Sequence, residues 1–73
     1  MTTVTARFLT KIRIRPALRA PVIDRTAPHR AYRLTETCEV DGETWHEIRW
    51  GNVQRGWVRE QANGVRTFRE PVI

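Results

Sequence analysis

Three side chains in this sequence have the chemistry for nucleophilic catalysis: Cys38 as nucleophile, with His29 or His46 as its base. The pattern around them argues against that use. His46 stands two residues from Ile48 and is expected to share its face in a strand, and a lone cysteine in a strand behaves as a small buried hydrophobe. No Cys/His cluster has metal-ligand spacing, and a single cysteine forms no internal disulfide, so neither metal nor disulfide is expected as a staple. The reading is a non-enzyme without a cofactor, and the chemistry left to explain is binding.

Two residue types carry it. Twelve of the thirteen basic residues are arginine, whose planar fork grips carboxylate or phosphate and stacks on aromatic rings. They are unevenly placed. Residues 1–33 hold Lys11 and seven arginines against Asp24, a balance of +7, and residues 34–73 hold five arginines against seven acids, a balance of −2. Arg15, Arg19, Arg25, Arg30 and Arg33, with His29 among them, lie on or beside one segment and would gather at one end of a small fold, where an anion or acidic polymer is the natural partner. Glu36, Glu39, Asp41, Glu43 and Glu47 form an acidic edge that could neutralise the arginines across the molecule instead. The second residue type is tryptophan. Period-two alternation sends Trp45 to the face opposite Ile48, whereas Trp57 is expected to pack and Trp50 to sit at the core edge.

The elements that must position these residues are short strands. Thr44 to Trp50 and Val53 to Val58 alternate residue classes about Gly51-Asn52, read as a two-residue hairpin turn, and Asp41-Gly42 is a second turn of that kind. Strands are expected near 4–8, 11–15, 31–39, 44–50, 53–58 and 65–69, with one 3₁₀ turn in Arg59 to Ala62. Between Arg15 and Tyr32, Pro16, Pro21 and Pro28 preclude a central strand, so this stretch reads as a long arm over one end of the fold. The fold class expected is all-β, a small barrel of five to six short antiparallel strands in one domain spanning residues 1–73, residues 63–73 forming a C-terminal strand or tail. A domain this small buries only about 60% of its unfolded surface. Neither a secretory signal nor a membrane span is visible, so the chain as it stands is expected in the cytoplasm, as a monomer or weak oligomer.

The order Ile12-Arg13-Ile14-Arg15, Pro21-Val22-Ile23, Trp45, Gly56-Trp57-Val58 resembles the bacterial SH3-like domains over roughly residues 4–62. The sequence departs from that family in its arm, where only the five residues Pro16 to Ala20 separate Arg15 from Pro21 and the family's Gly-Pro is missing. The resemblance implies an SH3-like barrel that acts as a noncatalytic targeting module for an extended peptide or cell-wall peptidoglycan, with Trp45 flooring a groove beside the arm. It also implies a larger hydrolase as parent, or a phage-derived protein, acting at the cell wall. Charge points to an alternative, a small basic barrel binding nucleic acid or another polyanion, and a structural subunit of a larger assembly is a third. The residues expected to contact a ligand are Trp45, Arg15, Arg19, Arg25 and Arg33.

Overall fold

The computed structural model describes residues 2–52, 54–62 and 64–69. Its strands are β1 (Thr2–Ala6), β2 (Lys11–Arg13), β3 (Val22–Arg25), β4 (Ala31–Val40), β5 (Glu43–Trp50), β6 (Gln54–Arg59), β7 (Gln61–Ala62), β8 (Val65–Arg66) and β9 (Phe68–Arg69). Seven of them form one antiparallel sheet in the order β3-β2-β6-β5-β4-β1-β9, curled into a half-barrel consistent with a small SH3-like barrel. The fold is all-β, as expected, although the strands outnumber the five or six anticipated. No helix among the described residues is long and apolar enough to cross a membrane.

Alternation explains the core. Val4 and Ala6 of β1, Ile12 of β2, Tyr32 of β4, Ile48 and Trp50 of β5, Val58 of β6 and Phe68 of β9 point into the curl and pack together, with Leu34 against them. Tyr32 meets Trp50 edge-on, their ring centroids 5.9 Å apart. Its hydroxyl accepts the Ala27 N–H at 2.9 Å, so the polar end of the ring is satisfied where the arm returns to the sheet.

Three local expectations are corrected. The register pairs Trp50 with Gln54, so the turn read at Gly51-Asn52 is not closed by a pair flanking those two residues alone, and Gly51 has φ 63°. By contrast Val40 pairs with Glu43, and the two-residue turn between them has φ of 52° at Asp41 and 79° at Gly42, as a type I′ hairpin requires. The 3₁₀ turn expected after Val58 is a bend at Glu60 leading into the β7–β8 hairpin, because Glu60 donates to Thr44 O at 2.8 Å and its own carbonyl accepts from Thr67 at 2.8 Å. The arm contains a strand after all: β3 lies at the sheet edge, where a proline just ahead of it costs no ladder bond. Leu34 pairs with Ile48 but Glu36 with Glu47, leaving Thr35 as an extra residue in β4. Without this bulge Glu36 would follow Tyr32 and Leu34 inward; with it, Glu36 is exposed beside Glu47, and Thr35 Oγ1 donates to Glu47 Oε1 at 2.7 Å.

Candidate functional site

Ile12 sits in the core at no exposure, which turns its strand neighbours Lys11 and Arg13 to the outer face of the sheet. Val58 does the same for Trp57 and Arg59, and Ile48 for Glu47 and Arg49. Trp45 belongs to that outer face, opposite Cys38 on one side and Arg59 on the other, and lies outside the central core cluster. It is nonetheless only 2% exposed. Alternation fixes its side of the sheet, as read from the sequence, and the arm then covers that side.

Two clefts flank the covered ring, and Leu18 lines both. One, of about 360 Å³, is bounded by Leu9, Thr10, Lys11, Arg13, Arg25 and Arg59. The other, of about 510 Å³, is bounded by Ala17, Arg19, Val40, Asp41 and Glu43. Trp45 lines both clefts but leaves little of its surface open in either. Within the first cleft Arg13 is already engaged, its Nη1 donating to Ala20 O at 2.8 Å and pinning the arm. Arg59 donates to Glu43 Oε1, while its buried Nε has no partner among the described residues. Lys11 and Arg25 face each other in the β2–β3 register and carry the cleft's positive charge outward.

The five residues anticipated from sequence divide. Trp45, Arg25 and Arg19 come together around Leu18. Arg15 is exposed at the start of the arm turn, where its carbonyl accepts from Ala17, and its side chain lines neither cleft. Arg33 lies elsewhere, on the tip of the β4–β5–β6 meander beside Arg49 and Arg55. Lys11, Arg13, Leu9, Leu18 and Arg59 were not anticipated; placing Ile12 inward would have assigned the first two.

Cys38 is half-buried with Trp45 as its cross-strand partner. His46 hydrogen-bonds Thr37 Oγ1 through Nδ1 at 2.9 Å and stands 3.6 Å from Glu60, and His29 is exposed on the arm. The described residues include no group of three or more metal-ligating side chains. Comparison of the chain with protein-family models, with curated proteins and with solved structures returned no match.

Proposed function

We propose that this chain is a noncatalytic SH3-like binding module of the bacterial kind, which holds an extended peptide bearing carboxylates in the cleft between the arm and the sheet. The stem peptides of a cell wall are one such ligand. The observation that carries the reading is the composition of the first cleft: Leu9, Leu18 and the open part of Trp45 offer apolar contact, and Lys11 and Arg25 supply cations that no carboxylate among the described residues pairs with. A peptide suits it better than a compact small molecule, because the cleft is open and continues past Leu18 into a second one. The outer edge of β3, which contributes Arg25, is the end of the sheet and has ladder groups free to pair with an added strand. The hydrolase or phage-derived parent that the resemblance implies would supply any catalysis.

The test measures binding of the full chain to purified cell wall and to a soluble acidic peptide, for the parent and for Lys11→Gln combined with Arg25→Gln. Both residues are exposed, so the variant should fold. A charge-assisted contact contributes about 1.5–3 kcal/mol, and losing one should weaken binding by roughly tenfold or more. Binding that ignores the double variant, or no binding of either ligand by the parent, refutes the reading.

A further inference from the structure

The outer surface of the meander carries a second basic feature away from the arm. Arg33 stands directly opposite Arg49 across β4 and β5, and Arg49 directly opposite Arg55 across β5 and β6. Three guanidinium side chains therefore occupy one row over three neighbouring strands, spanning about 10 Å at ordinary strand spacing. All three are exposed and line one shallow cleft of about 340 Å³ together with the amide side chains of Asn52 and Gln54. Arg33 makes a single long hydrogen bond, to Gly51 O at 3.4 Å, and no carboxylate pairs with any of the three among the described residues. Beyond Arg33 the row ends at Thr3, which is neutral.

Like charges directly opposite one another weaken a sheet. This sheet stacks three of them with no compensating acid in the row, an arrangement that an external anion would relieve. We propose that the Arg33–Arg49–Arg55 row is a phosphate-binding ledge that holds the backbone of a nucleic-acid duplex. Arginine forks match phosphate oxygens bidentately, and the flanking amides can donate to the same oxygens. Charge density favours a duplex over an acidic peptide: an extended peptide shows one carboxylate about every 6.6 Å on a given face, whereas each strand of a duplex carries one charge per about 3.4 Å of axis, so a row about 10 Å long has more phosphates than carboxylates within reach. The cleft offers no ring on which an unpaired base could stack, since Tyr32 and Trp50 of the same strands point into the core. This ledge shares no residue with the arm cleft and does not rest on the function proposed for it.

The test uses the full chain with fluorescent duplex DNA, matched duplex RNA and polyglutamate, at about 50 and 200 mM salt. Three phosphate contacts give a log–log salt slope near −2.7 on DNA, roughly a forty-fold loss over that range. Arg33→Gln, Arg49→Gln and Arg55→Gln together should flatten the slope by about 2.7 units, to near zero, while Lys11→Gln with Arg25→Gln should leave it unchanged. Similar binding of the two duplexes supports recognition of the shared backbone, and a preference for one identifies the source. The proposal is overturned if the triple variant keeps the parent slope, if the arm variant flattens it instead, or if polyglutamate binds the ledge as tightly as either duplex.

Discussion

At the scale of single residues, the tightest constraint lies at Gly56. A Cβ there would overlap Ile12 Cγ2, with Ile23 Cδ1 at 3.1 Å and the Arg13 carbonyl oxygen at 3.2 Å. The glycine is what lets β2 lie against β6, and β2 in turn carries Lys11 and Arg13 to the arm cleft. Ile12 and the Arg13 backbone are fixed in the sheet, so Gly56→Ala should cost about 1–3 kcal/mol by overpacking and lower the melting temperature by several degrees. A thermal melt superimposable on the parent's would mean that β2 does not approach so closely. This need for a glycine was legible in the sequence, because Gly56 sits between alternating residues where a side chain would be expected. The exposure of Trp45 was not, because strand alternation reports the side of a sheet and carries no information about a loop folding over that side. His29 was equally silent: it follows Pro28 in the turn closed by Arg30 N–H to Ala27 O and adopts φ 68°, a conformation its residue type does not announce.

At the scale of elements, two buried threonines act as clamps, Thr26 where the arm meets the segment after β1 and Thr67 between β8 and β9. Thr26 is wholly buried; its Oγ1 donates to Phe8 O at 2.8 Å and accepts Thr10 N–H at 2.9 Å, while its backbone N–H donates to Thr10 O at 2.8 Å. Thr67 ties the end of β6 to the segment after β1: its Oγ1 donates to Arg59 O at 2.7 Å, its backbone N–H donates to Glu60 O at 2.8 Å, and its carbonyl accepts the Arg7 N–H at 2.9 Å. Replacing Thr26 by valine keeps the volume but strips the Thr10 N–H and the Phe8 carbonyl of a partner, so Thr26→Val should destabilise the fold by about 2–4 kcal/mol. Hydrogen exchange at the Thr10 amide should accelerate with it, and an unchanged melt with a protected Thr10 amide would show that the arm is held by other contacts. The meander and the Asp41-Gly42 turn were readable because each depends on alternation or on residues that accept positive φ. The clamps were not, since a threonine in a proline-rich loop gives no periodic signal, and neither did Thr35, whose bulge is fixed only by which partners β4 and β5 choose.

At the scale of the whole molecule, the question is whether the basic first half is neutralised by the acidic second half. The ion pair of Arg59 with Glu43 and the contact of His46 with Glu60 both lie within residues 34–73. The second half thus uses its own bases, and Asp24, the one acid of residues 1–33, accepts the Arg25 backbone N–H. A net charge of +5 therefore remains as self-repulsion, concentrated in the first half, on a fold whose Cα radius of gyration is 11.2 Å, close to the Debye length of about 10 Å at 0.1 M salt. Added salt should therefore stabilise the chain. Raising sodium chloride from about 20 to about 300 mM should increase the melting temperature by a few degrees, the equivalent of up to about 1 kcal/mol in a domain of this size. Replacing Arg33, Arg49 and Arg55 together by glutamine should reduce that gain, since it removes the most closely opposed like charges. A melting temperature that falls with salt would mean that the arginines find carboxylate partners across the barrel, leaving few cations free for any anion.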